Sequence, residues 1–295
     1  MDRIKKNKER RLGIVYIIGA AFGFALMSFC VRLSGELPIF QKTFFRNIIA
    51  SAILLPVIFK RRKNIHIQRE DLLPLLSRAF FGTLGLICNF YAIDHLNIAD
   101  ASMLNKLSPF FVMLMCFAVL GEKPSRMDWF TTIIAFLGMI FVAKPSLSIQ
   151  GMGALAGIGG GICAGAAYTS VRVMGLRGVE KSIIIFFFSI FSSLVSLPLM
   201  LIDFRAMSRF QFLCLLGAGS SAMIGQLCIT RAYTFAPAKE IGVFDYTQVL
   251  FSMLLGFAFL GQIPDVWSII GYIIIIGMAL IKWKYNLYEE GIDNI

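Results

Sequence analysis

Charged residues are scarce in this sequence, where Asp, Glu, Lys and Arg make up 15% of 295 residues. Soluble globular domains carry about 25% charged residues, which cover the surface that faces water. Histidine occurs only twice, and the six cysteines form no CxxC pair. These shortages exclude a soluble binding module and indicate neither a metal site nor a disulfide framework.

Motifs of enzymes and ATP-driven pumps are also missing. The sequence contains no HExxH, no GxSxG and no GxxxxGK[ST], the signatures of zinc proteases, hydrolases and P-loop proteins. We therefore expect that the chain is not an enzyme, and we expect no cofactor.

Long apolar runs dominate what is present: 58% of the residues are hydrophobic and the mean hydropathy is +0.77. About 20 apolar residues cross a bilayer core as a helix, and a helix satisfies its own backbone in lipid. We predict ten transmembrane helices, at residues 12–32, 38–59, 72–92, 98–120, 127–143, 151–171, 182–202, 211–232, 240–260 and 266–283.

The positive charges predict the orientation of these helices. The net charge is +11, but the basic residues lie at the ends of the apolar runs, which does not favour a nucleic-acid partner. Of 28 Lys and Arg residues, 20 lie at the two termini and the loops after even-numbered spans, and five lie at the other loops. The positive-inside rule then places both termini on the cytoplasmic side of the membrane. The membrane we expect is the cell (inner or plasma) membrane.

The two halves of the chain resemble each other at a shift of about 140 residues. FFVMLMCFAVLGEKP (110–124) and LFSMLLGFAFLGQIP (250–264) are identical at eight of 15 positions. Because each half has five helices, an odd number, the second half enters the membrane from the opposite side. We therefore predict an all-α fold of two inverted five-helix repeats around a central cavity, an arrangement typical of carriers.

This organisation gives four segments. The predicted boundaries are a basic cytoplasmic N-terminus at 1–11, a first repeat at 12–144, a second repeat at 145–284 and a C-terminal tail at 285–295.

Two stretches carry a resemblance to a known family: NFYAIDHLNIADASMLNKLSPFFVMLMCFAVLGEKP in the first half and RAYTFAPAKEIGVFDYTQVLFSMLLGFAFLGQIP in the second. They resemble the EamA-type members of the drug/metabolite transporter superfamily. The resemblance covers essentially the whole chain. It implies ten helices in two inverted units around a cavity, with transport often directed outward.

Two charged residues inside predicted spans are the main candidates for substrate binding, because charge in a membrane span is costly and usually faces a cavity or a partner. Lys106 lies eight residues into span 4, beside Asn105, and Pro109 is expected to kink that helix. Asp245 lies in span 9, where the repeat aligns it with Asn105 and aligns Tyr246 with Lys106. We expect Lys106 and Asp245 to face the cavity and to bind a zwitterion or pair with each other. A purely structural ion pair is the alternative.

Arg46 and Arg78 lie seven or eight residues into spans 2 and 3. Such side chains can snorkel to the interface or bind loop carbonyls, and we favour a structural role. The alternative is that their charges attract an anionic solute or take part in gating.

Neutral polar side chains inside the spans are further candidates for hydrogen bonds to a substrate: Asn89, Asn105, Tyr168, Gln226, Tyr246 and Gln248. Asp100 and Glu240, at the starts of spans 4 and 9, are interpreted as helix caps. Gly157, Gly161 and Gly165, spaced by four residues, predict close helix packing.

These patterns favour a secondary active transporter, more often an exporter, of a small polar metabolite such as an amino acid or a related amine/carboxylate. A passive channel is the alternative, and a polytopic membrane enzyme is a weaker one. The expected partners are a small-molecule solute and the lipid bilayer, with a proton or a counter-solute for coupling. A homodimer is left open, and no nucleic acid is expected.

Overall fold

A computed structural model describes residues 2–61, 67–95, 104–143, 151–261, 263 and 265–292. The described residues form helices and no strand, which confirms the predicted all-α class. Within these residues, ten helices are longer than ten residues: α1 Asp2–Leu33, α2 Ile39–Arg61, α3 Arg69–His95, α4 Ser108–Leu120, α5 Arg126–Ala143, α6 Met152–Leu176, α7 Lys181–Ile202, α8 Arg209–Phe235, α9 Thr247–Leu260 and α10 Val266–Ile292. A one-turn helix, Ala238–Ile241, and a 3-10 segment, Gly242–Tyr246, precede α9.

Eight segments within the described residues are long and apolar enough to cross a membrane, α9 being counted with the short segments before it. The chain is therefore a multi-pass membrane protein. α4 has 13 residues and reaches roughly 20 Å at 1.5 Å per residue, less than a hydrocarbon core. The start of predicted span 4, residues 98–103, and the proposed cap Asp100 lie outside the described residues.

The region around Lys106 differs from the predicted continuous helix. Lys106 and Leu107 form a turn, and α4 begins at Ser108 with Pro109 in its first turn. Proline is well tolerated there, because the first N–H groups of a helix have no intrahelical acceptor. The helix is interrupted at Lys106 and Leu107, just before Pro109, so Lys106 lies in a turn and not inside a continuous helix.

The main helix packing runs between the two halves of the chain. α1 packs on α8 and α9, α2 on α7 and α8, α3 on α6 and α7, α4 on α6, and α5 on α10. Each pair joins a helix of α1–α5 with one of α6–α10. The interior of the bundle therefore lies between the halves.

Small residues allow this close packing, as predicted for α6. A Cβ added at Gly161 would lie 3.0 Å from the Leu104 carbonyl oxygen, and one at Gly165 would lie 2.5 Å from Phe111 Cβ. Large apolar side chains are exposed on the outside of the bundle, Leu73 at 76% and Ile202 at 82% among them. An apolar exterior suits contact with lipid rather than water.

Candidate functional site

A cavity of about 430 Å³ lies inside the bundle, between helices of both halves. Pockets for small molecules typically enclose about 300–1,000 Å³. The lining includes residues of α1, α2 and α3 from the first half and of α6, α7, α8 and α9 from the second. The charged residues that line it, in the part of the chain that the structure describes, are Arg32, Lys42, Arg46, Arg78, Lys106 and Asp245.

Lys106 and Asp245 meet in this cavity. Lys106 Nζ lies 2.7 Å from Asp245 Oδ2, and it also donates to the Asp245 carbonyl oxygen at 3.2 Å. Both residues line the cavity, and their side chains are 7% and 10% exposed. The pair therefore bridges the two halves within reach of a bound solute.

Irregular backbone positions both charges. Lys106 occupies the turn before α4, and Asp245 lies in the 3-10 segment before α9. Non-helical backbone at membrane depth is tolerated only where it is buried in protein or lines a cavity. Interrupted helices at matching places in two halves are typical of transporter binding sites.

Most of the neutral candidates also line the cavity: Asn89, Asn105, Tyr168, Gln226 and Gln248. Gln226 accepts a hydrogen bond from Arg78 Nη2 at 2.8 Å. The Tyr168 ring stacks on the Tyr233 ring, with their centroids 5.3 Å apart.

Tyr246 is not among the lining residues. It is completely buried, and its hydroxyl has no hydrogen-bond partner among the described residues. Consecutive residues of a 3-10 segment point about 120° apart, since it has three residues per turn. The turn that directs Asp245 into the cavity therefore directs Tyr246 away from it.

Arg46 and Arg78 both line the cavity and are each 2% exposed. Among the described residues, neither guanidinium reaches the membrane interface or a loop carbonyl. Arg46 Nη1 donates to Asn47 Oδ1 at 2.6 Å, and Arg78 Nη2 donates to Gln226. Both guanidinium groups also approach one ring, since their carbons lie 5.7 Å and 4.1 Å from the Phe188 centroid.

Among the lining residues that the sequence analysis does not single out, three bear on the charge of the cavity. Arg32 and Lys42 lie on either side of the α1–α2 turn, and Phe188 lies in the middle of α7. In the sequence, Arg32 and Lys42 lie near the ends of predicted spans, where basic residues indicate orientation and not a binding site. Phe188 carries no signal of its own in an apolar helix.

Three buried ion pairs join the halves at the end of the bundle where α1 begins. They are Arg10–Glu240 at 2.6 Å, Arg172–Glu122 at 2.9 Å and Lys282–Asp128, and the six side chains are at most 15% exposed. We call this cluster of six residues the Glu240 end. Glu240 lies in the first turn of the one-turn helix, as expected, but the N-cap position is Pro237 and the Glu240 carboxylate pairs with Arg10.

The opposite end, where α1 ends and α2 begins, is held differently. Gln211 Nε2 donates to the Ser34 carbonyl oxygen at 3.1 Å, and Gln41 Nε2 donates to the Arg205 carbonyl oxygen at 2.9 Å. These four residues, with Gly35 between them in the α1–α2 turn, define the Gly35 end. The cavity lining reaches Gly35 itself, so the cavity extends toward this end.

Proteins with similar sequences are transporters. The chain is 32% identical over 267 residues to the "Pseudopaline exporter CntI" of Pseudomonas aeruginosa, covering 90% of this chain and 93% of the relative. It is 24% identical to an "S-adenosylmethionine uptake transporter" of Rickettsia felis, covering 88% and 86%. It is 23% identical to "Solute carrier family 35 member G1" of Mus musculus, covering 95% and 81%.

A solved crystal structure has the same fold, with a TM-score of 0.77 at 16% identity, covering 90% of this chain and 94% of the other. The EamA-like transporter family matches at residues 11–144 and again at 151–282. The names of the family and the relatives confirm the predicted class, a membrane transporter and not an enzyme. Since the two matches together cover most of its length, the chain belongs to the EamA-like transporter family.

Proposed function

We propose that this protein is a secondary active transporter that exports a small metabolite with amine and carboxylate groups. The protein lies in the cell (inner or plasma) membrane with both termini on the cytoplasmic side, and transport proceeds by alternating access. A proton or a counter-solute supplies the coupling.

The observation that carries this proposal is the Lys106–Asp245 pair in a cavity between the halves. A cation and an anion 2.7 Å apart complement the carboxylate and the ammonium of an amino-acid-like solute. Binding such a solute exchanges one ion pair for two, so little charge is left unpaired in the low dielectric of the membrane.

The helix contacts support two inverted repeats. If the two halves are interchanged, so that α1 takes the place of α6 and α4 that of α9, each of these contacts becomes another observed contact. Contact α1–α8 becomes α3–α6, and α1–α9 becomes α4–α6. Contacts α2–α7 and α5–α10 are unchanged. The two matches to the family divide the chain in the same place. α4 and α9 also both end at a left-handed glycine, Gly121 with φ 68° and Gly261 with φ 63°.

The unequal ends of the bundle support alternating access. In the proposed orientation the Glu240 end faces the cytoplasm and is closed by the ion pairs between the halves. The cavity extends toward the Gly35 end, which would face outward. Opening to the cytoplasm then requires the three ion pairs to separate as the halves rock about Lys106 and Asp245.

The direction follows from similarity. The pseudopaline exporter is more similar to this chain, at 32% identity, than the S-adenosylmethionine uptake transporter, at 24%. We assign export on that basis.

Counterflow in proteoliposomes tests the proposal. The purified protein is tested with labelled amino acids, amino-acid conjugates with several carboxylates, polyamines and nucleosides. We expect saturable counterflow of the amine/carboxylate class, and its loss in Lys106→Met and in Asp245→Asn. Arg231→Met and Asp203→Asn are matched controls, because both residues are exposed and outside the cavity lining.

Each outcome has a distinct meaning. Flux without saturation or counterflow would identify a channel. Counterflow that survives both substitutions would keep the carrier and reduce the Lys106–Asp245 pair to a structural role. Folded protein with no counterflow of any class would overturn the proposal.

A further inference from the structure

We propose that Arg46 and Arg78 form an anion-binding subsite that holds an oxyanion of the substrate, a carboxylate or a phosphate. This inference rests on the proposed transport function and deepens it. It assigns the substrate to a class with more acidic than basic groups, so that its net charge is negative.

The first argument is burial without a counterion. Each arginine is 2% exposed. Among the described residues, neither has a carboxylate within ion-pair distance, whereas Lys106, Arg10, Arg172 and Lys282 each have one. A buried charge without a partner is strongly unfavourable, and inside a membrane it usually marks a functional site.

The second argument is unused hydrogen-bonding capacity. Nε of Arg46 and Nε of Arg78 are both buried and have no acceptor among the described residues. The acceptors that the two arginines do have, Asn47 and Gln226, are neutral amides. Guanidinium groups bind carboxylates and phosphates through paired N–H donors, so a solute oxyanion supplies both the missing charge and the missing acceptors.

The third argument is the way the two groups are held. The Arg78 guanidinium lies over the Phe188 ring at 4.1 Å, and that of Arg46 lies 5.7 Å from the same centroid. Cation–π contacts with one ring hold two like charges as neighbours without neutralising either. Repulsion between them decreases when an anion binds to both.

The charge of the cavity points the same way. Asp245 already pairs with Lys106, and among the described residues Arg46 and Arg78 line the cavity without a carboxylate partner. This excess of positive charge disfavours the binding of an organic cation. A zwitterion that occupies Lys106 and Asp245 still leaves the two arginines for a further acidic group.

A matched set of probes tests the subsite on the purified full-length protein. L-glutamine, L-glutamate, O-phospho-L-serine and L-lysine differ mainly in the charge of the side chain. We expect L-glutamate or O-phospho-L-serine to raise the melting temperature, L-glutamine to raise it less, and L-lysine to have no effect. The response to L-glutamate against that to O-phospho-L-serine separates a carboxylate site from a phosphate site.

Arginine variants then locate the effect. Arg46→Gln and Arg78→Gln should weaken binding of the acidic probes at least tenfold and leave L-glutamine unchanged. Arg46→Lys and Arg78→Lys should lose less, and the exposed control Arg231→Gln should behave as wild type. Without probe, the Gln variants should melt at or above the wild-type temperature, because each removes an unpaired buried charge.

Two results would overturn the subsite: no stabilisation of the wild type by either acidic probe, or equal responses in the Gln variants. Counterflow of amine/carboxylate solutes would then still stand as a separate observation. Conversely, arginine-dependent binding of acidic probes without counterflow would retain the subsite and refute the proposed transport of amine/carboxylate solutes.

Discussion

Lys106 Nζ lies 2.7 Å from Asp245 Oδ2, although the residues are 139 positions apart in the chain. Each residue lies in irregular backbone just before a helix, α4 for Lys106 and α9 for Asp245. The pair therefore links equivalent parts of the two halves at the wall of the cavity. We expect a contact of this kind to respond both to a solute in the cavity and to motion of the halves.

Stability measurements separate the structural role of this pair from its role in transport. Lys106→Met leaves the Asp245 carboxylate buried without its counterion, and breaking a buried pair costs about 3–5 kcal/mol. The double variant Lys106→Met/Asp245→Asn leaves no isolated charge, so we expect its unfolding midpoint to return close to wild type. Its counterflow should remain absent. Restored transport in the stable double variant would contradict a role for the charges in binding.

Weakening the Glu240 end should open the bundle on that side. Glu122→Gln removes one charge of a buried pair with Arg172, whose Nη1 keeps its bonds to the Tyr233 and Thr234 carbonyl oxygens. A loss of roughly 1.4 kcal/mol from the closed state raises the open population about tenfold.

Thiol labelling measures this opening in protein without its native cysteines. Thr230→Cys introduces a thiol at a position that is 0% exposed near the Glu240 end. We expect it to react faster with a water-soluble maleimide when Glu122→Gln is present. Asp203→Asn, at the exposed end of α7, is the control. An unchanged rate in Glu122→Gln would contradict the gating role.

Close packing of α6 predicts a position-specific effect of adding one methyl group. A Cβ at Gly165 would lie 2.5 Å from Phe111 Cβ and 3.1 Å from the Phe111 carbonyl carbon, while one at Gly159 would meet nothing within 4 Å. Gly165→Ala should destabilise the protein by about 1–3 kcal/mol, as overpacking does. Gly159→Ala, in the same helix, should leave the melting temperature unchanged or slightly higher. Equal effects at the two positions would contradict the packing.

Substitution of Gly82 should displace the Arg78 side chain without removing its charge. A Cβ there would lie 1.9 Å from Arg78 Nη1 and 2.9 Å from Phe188 Cε2, so Gly82→Ala must move the guanidinium group. We expect affinity for the acidic probe that stabilises the wild type to fall about tenfold, which corresponds to 1.4 kcal/mol. Gly277→Ala, with nothing within 4 Å of its Cβ, is the control. Full affinity in Gly82→Ala would mean that the position of Arg78 is unimportant.

Much of the candidate site follows from one rule about charge. Lys106 and Asp245 stood out in the sequence because an ionisable residue in an apolar run is costly and needs a partner or a cavity. The same rule selected Arg46 and Arg78. They line the cavity and do not extend to the membrane interface. The position of a residue along a helix does not reveal which face of the helix turns toward the cavity.

The ion pairs of the Glu240 end were not predicted. Arg10, Asp128 and Lys282 lie near the ends of predicted spans, where charged residues ordinarily face water or lipid headgroups. Their pairing depends on which helices are neighbours at that end. The sequence offers no signal for this, because the apolar helices present no polar stripe to show how they pack.

The amino-acid sequence alone was sufficient for the all-α membrane class and the family, because each follows from local hydropathy or from similarity along the chain. The tertiary structure decided which polar groups meet. It paired Lys106 with Asp245, turned Tyr246 out of the cavity and left Arg46 and Arg78 inside it without a carboxylate among the described residues. The reason is physical: a charge in a membrane protein is stabilised by what packs against it, and that neighbour is here often more than a hundred residues away in the chain.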